Sequence, residues 1–144
     1  MKLSKYFTLE EVVSSQTASR LDLDNTPPED IKTNLALTCR LADEVRELLG
    51  KPMLVSSGYR SPAVNAAVGG AARSAHMTGY ALDFISPGFG TPEDVVRAVY
   101  RSKIDFDQII MEGTWVHLSF APAMRREALI KTEKGLVPAG DTYA

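Results

Sequence analysis

One cysteine, two histidines, no long apolar run and almost no charge imbalance bound what this 144-residue chain can be. A lone Cys39 leaves no partner for an internal disulfide, and its place on the apolar side of an expected helix makes it a small core residue rather than a reactive thiol. Synthesis in a reducing compartment fits. No window approaches the ~18 apolar residues of a membrane span, and "MKLSKYFTLEEVV" lacks the roughly 7 to 15 apolar residues of a secretion signal. The expectation is therefore a chain made in the cytoplasm, without a signal peptide and without membrane insertion. With 16 basic and 18 acidic residues, net charge −2, it also has no electrostatic footprint for nucleic acid. A hydrophobic share of 44% suffices for one core. A single monomeric domain over 1–144 is expected.

Along the chain the signals are mostly helix starts. "TLEE" at 8–11 is a capping box of Thr8 with Glu11. "TPPE" at 26–29 repeats the logic, with prolines in the first turn, before the longest periodic stretch. Ile31, Leu35, Thr38, Leu41, Ala42, Val45, Leu48 and Leu49 recur there at three- and four-residue spacing, which predicts one helix ending at Gly50. "MLVSS" and "YALDFIS" predict strands; "SPAVNAAVGG" and "TPEDVVRAVYRS" predict short capped helices. "DFDQIIMEGTWVHLSF" reads as two strands joined at Gly113-Thr114, a pair suited to a type II′ turn, and "MRREALIK" as a last short helix. The fold class is α+β: a small antiparallel sheet packed against a long helix and several short ones. Residues 6–50 form an arm and scaffold helix, 51–130 the catalytic core, and 131–144 a tail.

The hairpin permits a geometric argument. A two-residue loop sets Glu112 opposite Trp115 and Ile110 opposite His117, so Glu112, Trp115 and His117 share one face. Alternation in the preceding strand puts Asp83 on one face with Leu82 and Phe84 on the other. A carboxylate between two large apolar neighbours is costly unless paired or metal-bound. His76, Asp83 and His117 thus offer two imidazoles and a carboxylate, the ligand number and chemistry of a catalytic zinc site with a fourth position for water.

The ordered run "SSGYRSPAVNAAVGGAARSAHMTGYALDF", then "FDQIIMEGTWVHLSF", closely resembles the zinc D-alanyl-D-alanine peptidases that cut bacterial cell-wall peptides, a group akin to lysostaphin and the hedgehog amino-terminal domain. "YFTLEEVVSSQTASRLDLDNTPPEDI" looks like the amino-terminal arm of phage and prophage members, so the resemblance covers about residues 6 to 130. It implies Zn2+ held by His76, Asp83 and His117, hydrolysis of peptidoglycan stem peptides or cross-bridges, and action on the wall after release or as a virion component. It also assigns Arg60 to a substrate carboxylate or oxyanion, and keeps Gly79 and Ala81 small so that backbone and metal can approach. Ser74 binds substrate or orients its loop, and Trp115 walls the cleft or the core. Many members carry an acid three residues before the last histidine ligand; here that residue is Thr114. Glu112 is the nearest acid on the right face and the expected general base, with Asp107 a weaker rival. The departure at Thr114 also leaves open a zinc-containing cell-wall-binding or virion structural protein without turnover. The bond cut, and whether by a carboxypeptidase or an endopeptidase, stays open at this stage.

Overall fold

A computed structural model describes residues 1–143. It is a mixed α+β fold built on one six-stranded sheet. The capping box forms as expected: Thr8 and Glu11 bond reciprocally at the start of α1 (Leu9–Val13). An unforeseen short helix, α2 (Gln16–Leu21), follows, capped by the Ser15 hydroxyl. The long helix α3 (Glu29–Leu49) begins later than the prolines suggested. Pro28 is its N-cap, extended at ψ 161°, and no side chain caps it. Each proline holds the residue before it in extended backbone, so the first helical residue is Glu29 rather than Pro27. Gly50, in the left-handed region at φ 65°, ends the helix as expected.

The strands run β1 (Leu54–Ser57), β2 (Ala81–Ile85), β3 (Gln108–Met111), β4 (Val116–Ser119), β5 (Glu127–Thr132) and β6 (Gly135–Pro138), in the sheet order β1-β2-β4-β3-β5-β6. Helices α4 (Pro62–Ala67) and α5 (Pro92–Arg101) carry the expected caps, Ser61 and the Thr91/Asp94 box. One sheet face presents Leu82, Phe84, Ile109, Val116 and Leu118 to Leu35, Cys39, Ala42 and Val45 of α3 and Val95, Val96 and Val99 of α5, all essentially inaccessible to solvent. At about 25 cal/mol per Å² of apolar surface removed from water, this layer is the main stabilising contribution. Leu48 lies outside it, 42% exposed. The opposite sheet face is left to the chemistry.

Two expectations fail at the carboxyl end. "MRREALIK" is not a helix: β5 lies there, parallel to β3, so the sheet is mixed, with every other pairing antiparallel, including those of β2 and β4 that carry Asp83 and His117. The free edge of β3 offers a row of backbone partners, and period-two burial of Ala128 and Ile130 against the core outweighs the helix propensity of Arg, Glu, Ala and Leu. Backbone at positive φ, Met124 at 44° and Arg126 at 53°, turns the chain into that register. Arg126 then caps the carbonyls of Ser102 and Ile104 at 2.9 and 3.0 Å. Residues 131–143, expected as a tail, contain the end of β5, all of β6 and the helix α6 (Gly140–Tyr143), which buries Tyr143 against α5.

The same turn aims Arg125 at buried Asp107, with Nε–Oδ1 and Nη2–Oδ2 both 2.9 Å. Hydrogen bonds from Arg125 outweigh burial and hold the Asp107 carboxyl below its ordinary range. A depressed folded-state pKa contributes stability above the unfolded value, and that stability is lost as pH falls through the folded one. The difference in urea midpoint between wild type and Asp107→Asn is therefore expected to be largest near neutrality and to shrink below about pH 4, where the unfolded carboxyl also protonates. A constant difference down to pH 2 would remove Asp107 from the acid response.

Candidate metal centre

The loop between α4 and β2 delivers His76, and several bonds fix it. The His76 amide donates to Ser74 Oγ at 3.2 Å, and the His76 carbonyl accepts from the Arg60 amide at 3.1 Å. In the ring, Nδ1 lies 2.7 Å from the Gly58 carbonyl. A carbonyl can only accept, so Nδ1 carries a hydrogen; Nε2, facing Asp83, donates to it when the ring is protonated and is the nitrogen whose lone pair a metal would take when the ring is neutral. Gly58 has no substitute at this place, because a Cβ there would sit 2.2 Å from the Val12 carbonyl oxygen of the amino-terminal arm. Gly79, at φ 79°, is kept small for a close backbone approach as expected, and the backbone concerned is that of α3. Its Cβ would meet the Ile31 carbonyl at 2.9 Å, and its own carbonyl accepts from Thr38 Oγ1 at 2.7 Å, so its small size serves the contact with α3.

Asp83 and His117 face each other across the β2–β4 ladder, where they are directly paired residues. Asp83 Oδ1 lies 3.1 Å from His76 Nε2 and 3.0 Å from His117 Nδ1. One ligand atom from each of the three residues falls within 4.8 Å of the others. Burial alone would push the Asp83 carboxyl up, but hydrogen bonds from His117 and His76, and their charge, hold it well below the carboxylate range. It stays an anion. Two imidazole nitrogens and one carboxylate oxygen, converging with the His76 tautomer already set by an outer partner, fit a zinc ion with room for a fourth ligand.

Arg60 reaches this cluster through Asp83, its Nη2 3.3 Å from Oδ2. Its Nε donates to Ser57 Oγ and its Nη1 to Asn65 Oδ1, both at 3.2 Å. Of five guanidinium hydrogens three are so engaged and two remain, which leaves the fork able to receive a substrate oxygen as well. Asn65 was not singled out by sequence reasoning. It is buried, and its Nδ2 holds the Ala71 carbonyl at 2.9 Å, tying Arg60 to the histidine loop. Its appearance in the ordered family run was the available signal.

A cleft of about 740 Å³ lies over the cluster, with Ser74, Trp115, Glu112 and Arg60 in its lining. The hairpin has the expected register: Ile110 opposes His117, and the Glu112 amide donates to the Trp115 carbonyl at 3.0 Å across Gly113-Thr114, with Gly113 at φ 98°. Glu112 is thus on the His117 side, while Thr114 is exposed at the turn. Lys131 approaches from β5, its Nζ 3.8 Å from Glu112 Oε2 and 6.0 Å from the Trp115 ring. Sequence reasoning missed it, because a helix in place of β5 would not align residue 131 with residue 112. Asp107 also lines the cleft, but both its oxygens are taken by Arg125.

Comparison with protein families matches residues 5–119 to the model of Peptidase M15. Comparison with curated proteins gives no match. The match spans most of the chain, including Arg60, the three clustered residues and Glu112, and stops before β5 and β6. The chain belongs to the Peptidase M15 family, whose members are zinc-dependent peptidases.

Proposed function

We propose that this chain is a zinc metallopeptidase that hydrolyses peptide bonds in peptidoglycan stem peptides or cross-bridges, with His76, Asp83 and His117 as the metal ligands. The observation that carries this reading is the convergence of their three donor atoms on the floor of an open cleft. Zinc bound there supplies Lewis acidity toward an amide carbonyl and acidifies a water. Glu112 is the general base: its carboxylate takes the proton of the attacking water and returns it to the leaving amine. Arg60 keeps Asp83 oriented and offers its two free hydrogens to the oxygen on which charge develops. Ser74 orients the histidine loop through its bond with the His76 amide, and Trp115 walls the cleft beside Lys131. The amino-terminal arm resembles those of phage proteins, and an endolysin or virion-associated lytic enzyme is the biological role that resemblance supports.

One observation favours a second reading, a cell-wall-binding protein without turnover: Thr114, at the position where the family resemblance implies an acid, is an exposed threonine. Purified chain incubated with purified peptidoglycan separates the two. The expected result is about one zinc per chain, time-dependent release of amino groups, loss of that release on chelation and its return with added zinc. Zinc-loaded protein that sediments with the wall and releases no amino groups would leave only the binding reading. Mass spectrometry of the released fragments identifies the bond and decides between endopeptidase and carboxypeptidase action.

A further inference from the structure

A second groove, of about 540 Å³, runs beside the metal cleft between residues 14–17 of the amino-terminal arm and the outer edge of β1. We propose that this groove is a substrate subsite that takes an extended peptide segment by strand addition to β1. The assignment rests on the peptidase reading above.

Three consecutive strand residues, Val55, Ser56 and Ser57, all line the groove. The register of β1 shifts between Val55 and Ser57, so strict alternation is broken there, and the groove that takes all three residues lies on the side of β1 away from β2. Among the described residues β1 is the terminal strand of the sheet and pairs only with β2. Among the described residues, no backbone bond outside that ladder involves positions 54–57. The outward amides and carbonyls of β1 therefore face the groove unpaired, the main-chain surface that an added peptide strand needs. At about 3.3 Å per residue, four strand residues span roughly 13 Å, room for three or four peptide residues.

The groove leads to the chemistry. Arg60 and Val68 line both it and the metal cleft. Ser57 pairs with Asp83 in the β1–β2 ladder, and its hydroxyl accepts from Arg60 Nε. A peptide following β1 toward Ser57 thus arrives beside Arg60 and Asp83. The lining also selects. Apart from Arg60 it is uncharged, made of hydroxyl-bearing and aliphatic side chains and the Gln16 amide, which suits a neutral segment with small side chains. Among the described residues no aromatic ring lines it, so a sugar finds no stacking platform there.

The test uses zinc-loaded Glu112→Gln protein, so that binding is read without cutting. The probes are fluorescein-labelled stem peptides released from purified peptidoglycan, with an unlabelled N-acetylglucosamine disaccharide as competitor, followed by fluorescence polarisation. Ser14→Trp and Thr17→Trp fill the groove from the arm; Leu21→Trp, on an exposed leucine outside the lining, is the control. The expected result is peptide binding weakened at least about tenfold by both groove variants, unchanged by the control, and indifferent to the disaccharide. Unchanged zinc content and melting temperature show that the variants fold. Peptide binding that fails altogether, ignores both tryptophans or yields to the disaccharide overturns the subsite. The two readings fail separately: a wild type that cuts no peptidoglycan yet binds the peptide in a tryptophan-sensitive way loses the peptidase reading and keeps the groove. A wild type that cuts, beside groove variants that bind and cut as it does, loses the groove and keeps the peptidase.

Discussion

Glu112→Gln is expected to lower kcat on peptidoglycan by about 10²–10⁴-fold, the range for loss of a general acid–base group, while zinc content stays at the wild-type level. A factor of 10² corresponds to about 2.7 kcal/mol of transition-state stabilisation. Glutamine keeps the volume and an oxygen that can face Lys131, so neither the hairpin nor the wall made by Trp115 has reason to move. It cannot accept a proton at neutral pH. The prediction discriminates because the rival acid is already engaged: Asp107 is gripped at both oxygens by Arg125, and its carboxyl is held below the ordinary range. Asp107→Asn should therefore affect stability at neutral pH and leave kcat within a few-fold. The opposite pair of outcomes, full turnover in Glu112→Gln and collapse in Asp107→Asn, would transfer the role to Asp107. Full turnover in both would return attention to water chains beyond Thr114.

What made the placement of Glu112 on the His117 face legible in the sequence was local arithmetic. Gly113-Thr114 fixes the hairpin register, and the register fixes which side chains share the His117 face. The same short-range logic found the capping boxes at Thr8 and Thr91, the end of α3 at Gly50, and the buried Leu82–Asp83–Phe84 alternation. It failed wherever a distant partner decides. Residues 127–132 have the composition of a helix, and only the unsatisfied edge of β3, in a parallel pairing no turn could announce, makes them a strand. Lys131 beside Glu112 was lost with that strand. For Gly79 the need for a small residue was legible, but not that the approaching backbone is Ile31 of α3. The bond from His76 to the Gly58 carbonyl, which sets the tautomer, joins residues 18 apart through a glycine that alone fits beneath Val12. Contacts of that kind are tertiary, and sequence patterns with periods of two and 3.6 do not carry them.

Asp83→Asn is expected to abolish stoichiometric zinc binding, and with it peptidoglycan hydrolysis, although it changes only one atom's identity. Asp83 is the shared anion of the centre: Oδ1 faces both histidines and Oδ2 faces Arg60. An amide there offers one neutral acceptor in place of a carboxylate, which weakens the ligand and leaves the positive guanidinium, 16% exposed, without its counter-charge. Two thermal measurements separate these effects. Zinc at 100 times its Kd stabilises a native-only site by about 2.7 kcal/mol, so chelation should lower the melting temperature of the wild type and leave that of Asp83→Asn unchanged. Both proteins compared in chelator then report the metal-independent part, the charge-assisted hydrogen bonds to Arg60 and the histidines, expected at about 1.5–3 kcal/mol. An Asp83→Asn protein that still holds one zinc per chain after dialysis would take Asp83 out of the ligand set. One that loses zinc but matches wild type in chelator would make Arg60 a bystander to Asp83, and would leave its fork free for substrate alone.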